Sequence, residues 1–157
     1  MAAVQVGGPA PDFTLEGTDG TPEGHREYSL AEYRGSPVVL VFYPGDNTPV
    51  CTRQLNAYTE DIAEFTSLDA RVLAISPQSV ASHDEFSENQ GGFAFPLLSD
   101  TEKQVGKLYG ILGPVGFYRR SVFVVDGEGV LRHAHRAVAG LSFRPSSELV
   151  AAIEAAS

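Results

Sequence analysis

The sequence predicts an α/β chain in which a mixed β-sheet is sandwiched between helices. Three observations carry this. Residues 38–43 are apolar throughout, the pattern of a central strand covered on both faces. Cys51, Leu55, Tyr58, Ile62 and Phe65 then recur at steps of four, three, four and three, the stripe of an amphipathic helix, before residues 71–75 return as a second buried strand. A strand–helix–strand unit of this kind implies a right-handed parallel crossover. Finally, residues 121–125 and 130–136 flank Asp126-Gly-Glu-Gly129, a hairpin signal that adds antiparallel strands to the sheet.

In chain order, residues 9–11 form a proline-containing lead-in, 13–15 a short strand and 17–24 a turn-rich excursion. Ser29-Leu-Ala-Glu32 has capping-box spacing and predicts a short helix stopping by Gly35. The strand 38–43 follows, then the helix after Cys51. Leu68 extends its apolar stripe, while Glu60, Asp61 and Glu64 take the other faces. After the strand 71–75 come a helix over 79–89, an extended piece over 95–98 and a helix over 101–109. The hairpin leads to a last helix carrying Leu149, Val150 and Ile153, capped by Ser146 or Ser147. Neither an internal repeat nor a low-complexity tract interrupts the sequence.

At 157 residues the chain is expected to form one domain over 1–157, large enough to bury roughly 70% of its unfolded surface. Its 43% hydrophobic and 20% charged composition is that of a globular protein, and no segment approaches the roughly 18–20 apolar residues of a membrane span. The N-terminal run lacks the basic and apolar regions of a signal peptide, so a cytoplasmic location is expected. A net charge of −9 argues against non-specific nucleic-acid binding; the tightest basic feature is Arg119-Arg120. A single cysteine excludes an intramolecular disulfide, a CxxC pair and a cysteine-based zinc site.

That cysteine, Cys51, follows Pro44-Gly-Asp-Asn-Thr-Pro-Val at the start of the amphipathic helix. Unpaired backbone N–H groups and the positive end of the helix macrodipole favour thiolate over thiol there. A lone cysteine out of context is usually an inert small hydrophobe; this context makes it a candidate nucleophile.

Pro44-x-x-x-Thr48-x-x-Cys51 resembles the active-site signature of the peroxiredoxins. The fuller run Phe42-Tyr-Pro-Gly-Asp-Asn-Thr-Pro-Val-Cys-Thr52 is most similar to their Q-type, bacterioferritin-comigratory-protein branch. Matching stretches at 8–13, 30–35, 95–100 and 120–126 follow in order, so the resemblance covers nearly the whole chain. It implies a thioredoxin fold in its peroxiredoxin variant and a thiol-dependent peroxidase that reduces hydrogen peroxide and organic hydroperoxides. It further implies that Cys51 is the nucleophile, that the Thr48 hydroxyl contacts the substrate, and that Arg120 holds the thiolate and the developing charge. Pro44 would shield the sulfur and fix the turn. No cofactor or metal is implied.

The chemistry makes these residue types apt. A free cysteine, with a pKa near 8.5, is only a few per cent thiolate at pH 7, and nucleophilicity falls as the pKa falls. Ionisation alone therefore does not make a peroxidase; the breaking O–O bond must be polarised. Backbone N–H groups such as those of Val50 and Cys51 can do this, and one preorganised donor is typically worth about 10²–10³ in rate. Each assignment has a plainer competitor. Thr48 could serve as the helix N-cap, and Pro44 and Pro49 as turn punctuation. Arg119 rivals Arg120, but alternation puts the two on opposite sheet faces, and the resemblance aligns Arg120.

The chain also departs from the branch. Where many Q-type relatives carry a resolving cysteine five residues on, it has Asn56. A one-cysteine form would have its sulfenic acid resolved by an external thiol through a mixed disulfide. Thioredoxin, a glutaredoxin-like protein and a low-molecular-weight thiol all qualify, and an intersubunit Cys51–Cys51 bridge is a further option. Val50 and Gly45 replace the glycine and lysine common in the branch, and Gln54 is a candidate hydrogen bonder behind the site. Both monomer and homodimer are compatible with the resemblance. The missing resolving cysteine motivates an alternative: a thioredoxin-fold redox sensor or binding module with a reversibly oxidised cysteine.

Other polar residues read as structural. His133 and His135 share one strand face, more often a polar face than a metal site. His25 and His83 lie in polar stretches expected to be exposed, and Asp84, Glu85 and Glu88 form a solvated helix face. Gly91-Gly92 and the loop 113–116 lack the spacing of a phosphate cradle. Phe117 and Tyr118, with Phe42 and Tyr43, are expected to form an apolar rim favouring bulkier organic peroxides.

Overall fold

The computed structural model describes residues 4–113, 116–137 and 143–156. Residues 1–3 of the N-terminal run and Pro114 and Val115 of the 113–116 loop lie outside them. Seven strands form one sheet: β1 (Thr14–Thr18), β2 (Arg26–Ser29), β3 (Val38–Phe42), β4 (Arg71–Ser76), β5 (Leu97–Ser99), β6 (Ser121–Val125) and β7 (Leu131–Arg136), in the order β2-β1-β5-β4-β3-β6-β7. The β3–β4 and β4–β5 pairs are parallel and the rest antiparallel. The mixed sheet read from the sequence is therefore present, with β3 and β4 inside it.

The sheet separates two apolar clusters, and strand alternation sorts side chains between them. Val39, Val41 and Tyr43 face the cluster that holds Cys51, Leu55, Tyr58, Phe65, Phe86, Leu149 and Ile153. Val38, Leu40 and Phe42 face the opposite cluster with Tyr109, Tyr118 and Phe123. The first cluster packs helices α1 (Pro49–Glu60), α2 (Ile62–Thr66), α3 (Val80–Asn89) and α5 (Ser146–Ala155) onto the sheet; α4 (Gln104–Leu108) supplies Val105 to the second.

Several boundaries differ from expectation for local reasons. The apolar stripe from Cys51 to Phe65 is divided into two helices at Asp61, whose φ of −94° and ψ of 13° leave the α region. The segment 17–24 is not all turn: Gly17 and Thr18 end β1, and a 3₁₀ turn covers Pro22–Gly24. The capping-box helix is a single 3₁₀ turn (Leu30–Tyr33), with Glu32 accepting from the Ser29 N–H at 2.9 Å. The helix expected from Thr101 begins at Gln104, because Lys103 takes a left-handed φ of 60° and the Asp100 carboxylate accepts from the Val105 and Gly106 N–H groups. The last helix starts with Ser146 itself; the N-cap is Pro145, without a side-chain cap. By contrast, Ser79 caps α3 as expected, accepting from the Ser82 N–H at 3.1 Å.

Candidate active site

The site forms where β3 ends and α1 begins. Tyr43 continues the ladder through its N–H to the Ile75 carbonyl at 3.0 Å. Pro44, an exposed residue, opens the turn; Gly45 and Asp46 are buried beneath it, and Asn47 takes a positive φ of 60°. Thr48 has the extended backbone of an N-cap and Pro49 the first helical position, where its missing N–H is no loss. The first intrahelical bond runs from the Thr52 N–H to the Thr48 carbonyl at 2.9 Å. Val50 and Cys51 precede it and so carry first-turn amides.

Thr48 caps by position only. Its side chain makes no cap bond; its hydroxyl donates to the Gly45 carbonyl at 2.8 Å. With its hydrogen committed there, the oxygen has lone pairs to offer an incoming O–H group. The purely N-cap reading of this side chain is therefore set aside.

Cys51 is completely buried, 0% exposed. Its sulfur therefore has no solvent contact in this structure. Facing it is Arg120, 4% exposed, with Nη2 3.2 Å from the sulfur and Nη1 donating to Gln54 Oε1 at 2.6 Å. Sheet register explains the meeting. Phe42 pairs with Ser121 and Val41 with Val122 in the antiparallel β3–β6 ladder, so residue 120 falls opposite Tyr43. Arg120 shares the face of Val122 and Val124, which pack in the Cys51 cluster. Arg119 points elsewhere, donating to the Ala137 carbonyl at 2.9 Å.

Gln54 is itself fully buried. Its Nε2 lies 3.3 Å from the Tyr58 hydroxyl, which donates to the Arg144 carbonyl at 2.6 Å. Burial pushes the Tyr58 phenol up to about 12 against the opposing hydrogen bond from Gln54. A guanidinium in a water-poor site stabilises negative charge on the sulfur more strongly than the same contact in water. The arrangement thus sets a buried thiol beside a fixed cation at the start of a helix.

Sequence reasoning missed a buried cluster behind the turn. His83 is 0% exposed, not solvated as expected: it lies on the buried face of α3 with Phe86 and Ser87. Its Nδ1 is 2.8 Å from Asp46 Oδ2 and its Nε2 2.9 Å from the Leu98 carbonyl. Asp46 also accepts from the hydroxyls of Tyr43 and Ser82, each at 2.7 Å. Burial, followed by the Asp46 charge, drives the Tyr43 phenol well above its ordinary value. The available signal was spacing: His83, Phe86 and Ser87 stand at i, i+3 and i+4 and mark one helix face.

The apolar rim is also corrected. Phe42 and Tyr118 lie in the cluster on the sheet face opposite Cys51, and the Tyr118 hydroxyl bonds Asp100. Phe117 is 68% exposed. Asn56, at the place of a resolving cysteine, donates to Gln90 Oε1 at 2.9 Å. His133 lies 3.4 Å from Glu148. Among the described residues no group of three or more His, Cys, Asp or Glu side chains is placed to hold a metal ion, and no helix is long and apolar enough to cross a membrane.

Comparison with known proteins gives a consistent result. The family model described as the AhpC/TSA family matches residues 6–134. The chain is 38% identical over 136 residues to a selenocysteine-containing peroxiredoxin of Peptoclostridium acidaminophilum, covering 82% of this chain and 66% of that protein. It is 37% identical over 136 residues to the chloroplastic peroxiredoxin Q of Oryza sativa subsp. japonica, covering 84% of this chain and 59% of that one. Among solved structures, the bacterioferritin comigratory protein of Xanthomonas campestris, described for its alkyl peroxide reduction activity, superposes with a TM-score of 0.79. That match has 28% identity and covers 92% of this chain and 91% of that one. The thioredoxin-like, peroxiredoxin-type architecture expected from the resemblance is thus the one observed.

Proposed function

The chain belongs to the AhpC/TSA family of peroxiredoxins, and from that premise we propose that it is a thiol-dependent peroxidase of the one-cysteine type, with Cys51 as its nucleophile. The observation that carries the assignment of the site is the 3.2 Å approach of the buried Arg120 guanidinium to the Cys51 sulfur. The thiolate attacks one peroxide oxygen, the O–O bond breaks, and the departing hydroxide or alkoxide takes a proton to leave as water or alcohol. Cys51 becomes a sulfenic acid. Arg120 balances the charge that passes from sulfur to the leaving oxygen, and the first-turn amides polarise the peroxide. Thr48 accepts the hydroperoxide O–H through its free lone pairs, and Pro44 fixes the turn.

With one cysteine in the chain, the cycle closes through an external thiol. That thiol condenses with the sulfenic acid, releasing water and leaving a mixed disulfide, and a second thiol then frees Cys51. Thioredoxin, a glutaredoxin-like protein and a low-molecular-weight thiol are the candidate reductants, and hydrogen peroxide and organic hydroperoxides the substrates. A reducing, cytoplasmic setting suits such a cycle.

Rapid-quench oxidation of the reduced protein by one equivalent of hydrogen peroxide, with sulfenic acid trapped for intact-mass analysis, tests the reading. Fast stoichiometric trapping at Cys51, absent in Cys51→Ser, is expected. Oxidation at the rate of a free thiol would overturn it. Fast oxidation without turnover on any thiol donor would instead favour the redox-sensor alternative.

A further inference from the structure

From the buried cluster behind the turn we infer that Asp46 and His83 are positioning residues for the peroxidase reaction: they clamp the 44–48 turn so that Thr48 and the Cys51 amides meet the peroxide in register. The inference rests on the peroxidase reading above. Asp46 lies two residues from both Pro44 and Thr48 and is 7% exposed. Its carboxylate takes hydroxyl donors from Tyr43, at the end of β3, and Ser82, on α3, and meets the imidazole of His83. Its own N–H is held by Gln78 Oε1 at 3.2 Å. The neighbouring Gly45 carbonyl is the group that orients the Thr48 hydroxyl. At the other end of α3, Asn89 donates to Asn47 Oδ1 at 3.1 Å. Helix α3 and the segment before it therefore hold two consecutive residues of the turn, Asp46 and Asn47, from behind.

The hydrogen-bond inventory sets what the clamp requires. The Leu98 carbonyl can only accept, so His83 Nε2 carries a hydrogen. A second hydrogen must lie between His83 Nδ1 and Asp46 Oδ2, since two lone pairs 2.8 Å apart would repel. Asparagine at position 46 satisfies the same partners without charge. Its oxygen accepts from Tyr43, and its NH₂ group donates to Ser82 Oγ and to an unprotonated Nδ1. Alanine removes all of these anchors. If the role is geometric, the two substitutions must diverge.

The experiment is stopped-flow oxidation of Cys51 by hydrogen peroxide in wild type, Asp46→Asn, Asp46→Ala and Gln78→Ala, expressed per folded molecule from circular dichroism. Asp46→Ala should be slower by about 10²-fold, the scale of a reacting group displaced by about 1 Å. Asp46→Asn should stay within a few-fold of wild type. Gln78→Ala, which removes one partly buried anchor and spares the His83 pair, should be slowed several-fold. Asp46→Ala and Gln78→Ala both reacting at the wild-type rate would overturn the clamp, as would an Asp46→Asn as slow as Asp46→Ala. Should Asp46→Ala not fold, Gln78→Ala and Asp46→Asn decide the matter by the same criteria. A slow wild type would instead count against the peroxidase reading itself.

Discussion

Gln54 and Arg120 are joined by a 2.6 Å hydrogen bond in a site where neither has significant solvent contact. One arm of the guanidinium is thereby tied to α1, the same helix that carries Cys51, while the other reaches the sulfur. Residues three apart on a helix are neighbours on one face, so the helix that carries Cys51 also aims the guanidinium beside it.

Arg120→Lys should therefore not be conservative. A lysine ammonium is a single point and cannot engage Gln54 and Cys51 as a planar fork does. Oxidation of Cys51 by hydrogen peroxide should slow by about 10²-fold or more, the scale of losing one preorganised charge-stabilising group. Stopped-flow measurement of single-turnover oxidation checks this; a rate within threefold of wild type would remove Arg120 from the mechanism.

Gln54→Leu keeps the volume but deletes the acceptor. Loss of a hydrogen bond to a buried charged group should cost about 1.5–3 kcal/mol of stability, read from urea unfolding. The oxidation rate should also fall, because the guanidinium is no longer held. Unchanged kinetics alongside lost stability would make Gln54 a folding residue only.

Thr48→Ser should preserve the bond to the Gly45 carbonyl and most of the rate, whereas Thr48→Val should lose both. The difference expected between the two is about 10²-fold, concentrated in the peroxide-dependent step. Comparison with iodoacetamide alkylation of Cys51, which needs no peroxide contact, separates this from a general loss of thiol reactivity.

All six tyrosines of the chain have phenol groups shifted upward, and burial is the leading cause in every one. A raised folded value means that folding disfavours the phenolate. The resulting stability is complete below the ordinary tyrosine pKa of 10 and is lost as pH rises through about 12, the value for Tyr58. Phenolate absorbance at 295 nm should therefore rise together with loss of ellipticity on alkaline titration. Full ionisation with retained ellipticity would contradict it.

Gly45 stands in the turn before Cys51 without a conformational need for glycine. It has no positive φ, and an added Cβ would meet Gln78 Oε1 at 3.6 Å and Thr48 Cγ2 at 3.8 Å, ordinary contacts. Gly45→Ala should thus stabilise the fold by about 0.4–1 kcal/mol through the unfolded chain, with oxidation kinetics unchanged.

Legibility in the sequence followed the strength of local periodicity. Residues 38–42 and the Cys51–Leu55–Tyr58 stripe were readable because burial there writes a regular pattern. Edge strand β2, Arg-Glu-Tyr-Ser, was not: it buries only one residue, Tyr28, and pairs with a single neighbour. That Cys51, Arg120 and Gln54 would meet was legible because motif and strand parity constrain them. The Asp46–His83 pair escaped because it joins residues 37 positions apart, a contact that composition around either residue does not announce. Phe42 and Tyr118 were assigned to the Cys51 side because they adjoin the motif and Arg120 in sequence; Phe42 sits at the wrong parity in β3 to face the cysteine, and Tyr118 lies before β6 begins, bridged to Leu112, where the strand's alternation no longer applies.

The same parity governs how the chain can tolerate changes in length. The β6–β7 ladder has its register shift between Val124 and Val125, next to the Asp126–Gly129 turn and remote from Arg120 along the strand. A peptide tag inserted between Gly127 and Glu128 would lengthen a turn that lies beyond the last paired residues, Val125 and Leu131. One extra residue between Arg120 and Ser121 would leave β6 paired as before but push Arg120 into the place of Arg119, exchanging the cysteine's partner for a stranger. Within seven residues of chain, insertion mapping should pass from tolerance of added sequence at the turn to complete loss of function at a site where nothing has been deleted.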